Sequence, residues 1–208
     1  MPETNFNLET LSVLTYHLTT MKILLHTCCA NCVLYPLKEM RKSGFEVTSF
    51  FYNHNIHPFQ EYAKRMDTLR ELAPLKNLDL ICPDKYDLNE FLRNVAFKED
   101  ERCSYCYRSR LQATVEEAKK GGYDCFSTTL LYSRFQKHDI IKETGKALEK
   151  EHEIVFYYQD FRKGWEEGIR ESKELNLYRQ QYCGCIYSER ERYLNAGVKG
   201  PRGQGVEG

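Results

Sequence analysis

Nine cysteines stand in a chain of 208 residues, and seven of them fall in three short motifs. The first is His26-Thr27-Cys28-Cys29-Ala30-Asn31-Cys32, in which Cys29 and Cys32 form a C-x-x-C. The second, Arg102-Cys103-Ser104-Tyr105-Cys106-Tyr107-Arg108, carries another C-x-x-C at the start of a helical pattern. Free backbone N–H groups at a helix start stabilise thiolate, the form that binds metal or attacks disulfides. Two thiolates from each motif make four ligands, a set that suits Zn²⁺ or an iron–sulfur cluster. Spacing does not separate the two metals. The adjacent Cys28-Cys29 pair departs from the two C-x-x-C units of a zinc ribbon and favours iron–sulfur. Cys29 and Cys32, after a strand and before a helix, also have the context of a thioredoxin-like redox motif. The third motif is Tyr182-Cys183-Gly184-Cys185. In C-x-C the two Cα atoms lie within about 7 Å, so the pair can close a strained, readily reduced disulfide or supply two more metal ligands. Cys82 and Cys125, inside apolar strand-like runs, read as buried, inert thiols.

Three polar constellations accompany the cysteines. Tyr52-Asn53-His54-Asn55-Ile56-His57-Pro58 could hold a polar ligand or metal through Asn53, Asn55 and His57. Thr128, Thr129, Ser133, His138 and Asp139 follow another strand and could hold a polar substrate, or cap a helix. Tyr105, Tyr107, Arg108 and Arg110 flank the second cysteine motif. Aromatic rings stack on bases and arginines pair phosphates. Arg108, Arg110, Arg134 and Lys137 are the candidates for such phosphate contacts.

The positioning elements follow from hydrophobic patterning. Short apolar or β-branched runs predict strands over 22–26, 45–52, 78–82, 125–131 and 154–158. Helical spacing covers 33–43, 59–76, 87–95, 106–120, 136–149 and 164–175, with stops at Gly44 and Gly121-Gly122. Alternation of strand and helix predicts a parallel α/β sheet, whose ligands sit beyond the carboxyl ends of the strands. The strand at 22–26 delivers Cys28, Cys29 and Cys32 to that edge. Residues 1–20 read as an N-terminal extension, 21–196 as one α/β domain, and the glycine-rich stretch 197–208 as a disordered tail.

Composition narrows the function classes. Lys+Arg and Asp+Glu both number 30, so there is no global electrostatic footprint for nucleic acid, although a local patch is allowed. No apolar stretch approaches the ~18 residues of a membrane span. No basic n-region precedes an apolar h-region, so a cytoplasmic location is expected and nine cysteines do not read as a disulfide framework. No G-x-G-x-x-G fingerprint suggests a bound nicotinamide. Three function classes fit: an iron–sulfur enzyme, a zinc-binding nucleic-acid module, and a thiol–disulfide oxidoreductase.

The motifs in their order resemble the QueH-type epoxyqueuosine reductases. The resemblance rests on Leu24-Leu25-His26-Thr27-Cys28-Cys29-Ala30-x-Cys32, on Tyr52-Asn53-x-Asn55-Ile56-His57-Pro58, and on Arg102-Cys103-x-x-Cys106-Tyr107-x-x-Arg110-Leu111. It continues through Phe126-Ser127-Thr128-Thr129-Leu130-Leu131 and His138-Asp139 to Tyr182-Cys183-Gly184-Cys185-x-Tyr187-Ser188. It spans roughly residues 21–190, with Asn31 where a proline or another small residue is expected. It implies a Rossmann-like fold similar to the adenine nucleotide α-hydrolases. It also implies reduction of the epoxide of epoxyqueuosine to queuosine in tRNA, the last step of queuosine synthesis, with electrons from an external donor. By the same resemblance a [4Fe–4S] cluster falls to Cys28, Cys29, Cys103 and Cys106, and a redox-active pair to Cys183 and Cys185. An additional iron beside the cluster could use Cys32 or an acidic residue.

Overall fold

A computed structural model of the chain describes residues 20–83 and 85–198. The N-terminal extension up to residue 19 and the tail from 199 lie outside the described residues. Five parallel strands form one sheet in the order β3-β2-β1-β4-β5: β1 Lys22–His26, β2 Glu46–Phe50, β3 Asp79–Ile81, β4 Cys125–Thr128 and β5 Val155–Phe156. Ile23, Leu24 and Leu25 are wholly buried on both faces of β1, as a central parallel strand requires. Helices α1 (Ala30–Lys42), α2 (Phe59–Leu75), α3 (Leu88–Val95), α4 (Arg102–Lys120), α5 (His138–His152), α6 (Trp165–Glu174) and α7 (Ile186–Val198) complete the fold. This is the expected α/β architecture. The chain leaves β1 towards β2 and later returns to β4 on its other side. Strand order therefore reverses at β1, and the crevice between β1 and β4 is where such sheets bind ligands.

Several elements differ from their sequence-based bounds. Helix α1 starts at Ala30, so Asn31 and Cys32 lie in its first turn. Helix α4 starts at Arg102, which places Cys103 and Cys106 three apart on one helical face. Strand β4 ends at Thr128 although the apolar run continues. The Thr128 hydroxyl accepts from the Leu130 N–H at 3.1 Å and turns Thr129–Tyr132 into a 3₁₀ turn. Cys125 is buried as expected, but Cys82 is half-buried because it follows the edge strand β3. Helix α7 had no predicted counterpart.

A single main core fills both faces of the sheet. A second, smaller apolar cluster joins Phe91 and Val95 of α3, Cys106 of α4, and Cys185 at the entrance to α7. Helix α5 meets the sheet through Gly145, where an added Cβ would lie 2.3 Å from the Phe156 ring. That ring is buried and tilts against Phe126 at 5.2 Å, so it cannot retreat without disturbing the sheet's centre. Alanine would gain about 1 kcal/mol in helix propensity, and overpacking costs about 1–3 kcal/mol. Gly145→Ala should therefore destabilise the protein on balance and lower Tm by several degrees. A Tm equal to or above the parent's would show that Phe156 can move freely.

Candidate metal centre and cavity

The carboxyl end of β1 sets the site. His26, its last residue, lies opposite Thr128 of β4, and the chain turns into α1 through Thr27, Cys28 and Cys29. The turn is fixed from three sides. The Thr27 N–H continues the ladder to the Phe50 carbonyl at 2.8 Å, and Asn53 Nδ2 donates to the Thr27 carbonyl at 2.9 Å. From the turn that follows β4, Thr129 Oγ1 accepts from the Cys28 N–H at 3.2 Å and reaches Cys28 Sγ at 3.5 Å. His26 Nε2 faces the Tyr52 carbonyl at 3.2 Å and must donate to it. Its Nδ1 therefore accepts from Thr128 Oγ1 at 2.9 Å. Burial, helped by the Arg110 charge, pushes His26 down to about 3 and keeps it neutral.

So held, the turn brings three sulfurs together. Sγ atoms of Cys28, Cys29 and Cys32 all lie within 4.8 Å of one another, the one such metal-ligating group among the described residues. Hydrogen bonds from the Cys29 and Cys32 thiols, with one from Thr129, hold Cys28 well below the usual thiol range. Burial and the neighbouring Cys28 push Cys29 up to about 12. Three sulfurs this close, with Cys28 favoured in its thiolate form, make a set that suits a cation. Gln180 adds a donor from the far wall, its Nε2 lying 3.1 Å from Cys29 Sγ. Asn31, in the first turn of α1, donates to Gln180 Oε1 and the Tyr178 carbonyl, while its buried Oδ1 has no partner. Soft sulfur donors of this kind select zinc, Cu(I) or iron–sulfur centres, and an orphaned buried oxygen beside them fits a site built for a further group.

The remaining cysteines are distributed around this triad. Cys103 is partly exposed and packs on the main core, whereas Cys106 is buried in the smaller cluster. Neither joins the 4.8 Å group. All nine cysteines are free thiols. The sulfurs of the C-x-C motif have different surroundings. Cys183 Sγ accepts from Gln136 Nε2 at 3.1 Å, and Cys185 Sγ accepts from the Ser188 N–H beside Phe91 and Cys106. The structure thus lends no support to a Cys183–Cys185 disulfide. Gly184 between them has φ 147°, and a Cβ there would sit 3.1 Å from Ile56. Only glycine suits that position.

A cavity of about 420 Å³ opens onto the triad. Cys28, Asn31 and Cys32 form its floor; Tyr132 and Trp165 stand on one wall, and Gln136 and Cys183 on another. Phe135, Arg179 and Arg192 reach its mouth and are exposed. Arg134 is exposed too and lies over the Trp165 ring at 5.8 Å.

Several residues singled out from sequence do other work. Asn53 and Asn55 are buried, and His57 clasps the third motif. The His57 N–H donates to the Gly184 carbonyl at 2.8 Å, and its Nδ1 accepts from the Ile186 N–H at 3.3 Å. His138 bonds the Tyr158 hydroxyl at 3.0 Å, and Asp139 lies exposed in the first turn of α5. None of these lines the cavity. Thr129 serves the Cys28 turn, and Thr128 serves His26. Arg108 is engaged by Glu151 at 2.5 Å, and Arg110 is 2% exposed. Arg110 is therefore no surface phosphate contact, whereas Arg108 stays at the surface, where its ion pair with Glu151 is solvent-exposed. Arg134 and Lys137 remain exposed. Sequence reasoning missed Gln136, Gln180, Glu61 and Arg65, since a lone glutamine or an i,i+4 ion pair carries no mark of burial.

His54 gives the site a pH signature. Its Nε2 meets Ser109 Oγ at 3.1 Å and its ring packs on Phe91. Burial, then the Arg110 charge, lowers it to about 4. An unfolded histidine titrates near 6.5. The unfolded chain therefore binds the extra proton first, and stability present above pH ~6.5 is lost as pH falls towards 4. Between pH 6.5 and 5 this amounts to about 2 kcal/mol at 1.36 kcal/mol per unit. His54→Gln should reduce the loss of urea stability between pH 7 and pH 5 by about that amount. An unchanged difference would place the acid sensitivity elsewhere.

A family model described as epoxyqueuosine reductase QueH matches residues 23–191. An epoxyqueuosine reductase QueH from Dehalococcoides mccartyi is 42% identical over 172 residues, covering 83% of this chain and 94% of that protein. One from Thermotoga maritima is 37% identical over 180 residues, covering 82% and 91%. Another, from Histophilus somni, is 34% identical over 178 residues, covering 82% and 73%. With its cysteine turn at the strand edge and matches that run through all three cysteine motifs, the chain belongs to the QueH epoxyqueuosine reductase family.

Proposed function

We propose that this chain reduces the epoxide of epoxyqueuosine in tRNA to the cyclopentene of queuosine, as a cytoplasmic enzyme. Removing the epoxide oxygen as water takes two electrons and two protons, drawn from an external donor and from solvent. The observation that carries this reading is the sulfur triad at the floor of a cavity large enough for a modified base. In this reading Cys28, Cys29, Cys103 and Cys106 hold a [4Fe–4S] cluster, and Cys32 serves an additional iron. Iron bound there supplies one-electron transfer and Lewis-acid polarisation of the epoxide oxygen. The chain's own part is to seat the base against the wall of stacked Tyr132 and Trp165 rings, and to keep water from the buried floor. Among the described residues no helix is long and apolar enough to cross a membrane, in keeping with an RNA substrate.

The cavity mouth supports the nucleic-acid part. Arg179 and Arg192 there, and Arg134 over the Trp165 ring beside it, are exposed and form no ion pair among the described residues. Most other arginines around the site are engaged: Arg102 by Glu191, Arg108 by Glu151 and Arg65 by Glu61. Three guanidiniums without carboxylate partners among the described residues, two at the opening and one beside it, make a local cationic rim on a chain of zero net charge.

Two experiments test the reading. Protein purified without oxygen should carry iron and sulfide and show a visible charge-transfer band. Cys28→Ser, Cys29→Ser, Cys103→Ser and Cys106→Ser should each lower iron, sulfide and epoxide reduction together, while Cys82→Ser should not. Zinc in place of iron, or full iron content in all four variants, would overturn the assignment. For the rim, three phosphate contacts on a single-stranded loop predict a log–log salt slope of about −2. Replacing Arg134, Arg179 and Arg192 together by Ala should flatten the slope for tRNA binding by about that much. A slope the substitutions leave unchanged would move the RNA to another face.

A further inference from the structure

Two arginines are almost wholly inside this protein, Arg65 at 1% and Arg110 at 2% exposure. Arg65 has Glu61 against it at 2.7 Å, as a buried guanidinium requires. Arg110 has no carboxylate partner among the described residues. Its Nε donates to the Cys106 carbonyl at 3.0 Å, and its Nη2 lies 3.0 Å from Cys106 Sγ. A guanidinium does not lose its proton in proteins, and an unpaired charge in the interior costs several kcal/mol. Something anionic must therefore face it.

The groups around Arg110 say what that is. Arg110 lines the same cavity as Cys28 and Cys183, and its Nη2 lies against Cys106 Sγ. The Tyr107 hydroxyl turns to Gln136, donating to its Oε1 at 2.9 Å. The one side-chain atom hydrogen-bonded to the guanidinium among the described residues is Cys106 Sγ. Cys28, Cys106 and Cys183 come one from each of the three cysteine motifs, so Arg110 is a cation placed among all three.

We infer that Arg110 is a positioning residue whose buried charge is balanced by the cysteine-bound metal centre, and that this charge raises the centre's reduction potential. The inference rests on the iron–sulfur reading proposed above. Uptake of one electron adds one negative charge beside a fixed cation in a low-dielectric interior, which favours the reduced state. No bond forms or breaks in that step. Removing the cation should make the centre harder to reduce, while a lysine should keep most of the effect.

The test is a redox titration of anaerobically purified holoprotein, native and with Arg110→Gln or Arg110→Lys, followed by electron paramagnetic resonance, with iron and sulfide assayed on the same samples. At a fixed applied potential Arg110→Gln should lower the reduced-to-oxidised ratio about tenfold, a midpoint fall of ~59 mV for one electron. Arg110→Lys should stay within about twofold of native. A Gln variant titrating like native would overturn the inference, as would a Lys variant shifted as far as Gln, because shape rather than charge would then matter. Should Gln fail to hold iron, retention by Lys supports the charge role, and loss in both variants overturns it. Native protein with no reducible iron would instead sink the iron–sulfur reading itself, whatever the Arg110 variants do.

Discussion

Arg65 holds together the wall against which the site is built. Residues 178–184 run between α6 and α7 without regular structure, so their backbone carbonyls need partners from elsewhere. Arg65 reaches out of α2 and donates to the carbonyls of Cys183 at 2.9 Å and Tyr182 at 3.0 Å. Its charge is met by Glu61 one turn earlier, and the Tyr178 hydroxyl donates to the other Glu61 oxygen at 2.5 Å. One buried ion pair thus fastens both ends of the segment that carries Gln180, Tyr182 and Cys183. Losing either partner would strand a buried charge, typically at a cost of about 3–5 kcal/mol. It would also release the wall that closes over Cys28, Cys29 and Cys32.

With that wall fixed, the sheet's order explains why the triad forms where it does. Cys28 and Thr129 lie 101 residues apart in sequence, yet the β1–β4 pairing of His26 with Thr128 makes them neighbours. Thr129 tethers Cys28 from the turn that follows β4, and Asn53 tethers Thr27 from beyond β2. The cysteine turn is gripped from beyond both strands that flank β1. A helix start alone would leave three thiols free to rotate. The grip from either side, with Gln180 above, holds their sulfurs within a ligand's reach of one another.

How much of this was legible in the sequence depended on how local the cause was. The five strands and the placing of Cys28 to Cys32 at a strand end were readable, because a short apolar run followed by a turn is a local signal. Six motifs in order identified the family. The length of β4 was not readable, since its end depends on a side-chain hydroxyl turning back on Leu130. Helix α7 carries Tyr187, Tyr193 and Leu194 among charges, a weak apolar pattern, and its start is set by a tertiary bond to His57 together with the Ser188 hydroxyl turning back to the Cys185 carbonyl. The role of His57 was hidden for the same reason: its partners lie 127 and 129 residues away. Arg108 and Arg110 look alike in sequence. A two-residue step around α4 turns one towards Glu151 on the surface and the other into the interior.

That division of arginines bears on what the zero net charge conceals. A chain with 30 acidic and 30 basic side chains could scatter them evenly, and the field at any opening would then average out. Here Arg65 and Arg110 are drawn inside, and Arg102 and Arg108 are matched by Glu191 and Glu151. Arg179 and Arg192 at the cavity mouth, and Arg134 over the neighbouring Trp165 ring, stay exposed with no carboxylate partner among the described residues. The inner cation faces sulfur and the outer ones face solvent. A polyanion approaching the cavity meets positive charge at the rim, while the floor offers thiolate and buried amide. Each position demands a different function of the same side chain, and burial decides which one it performs.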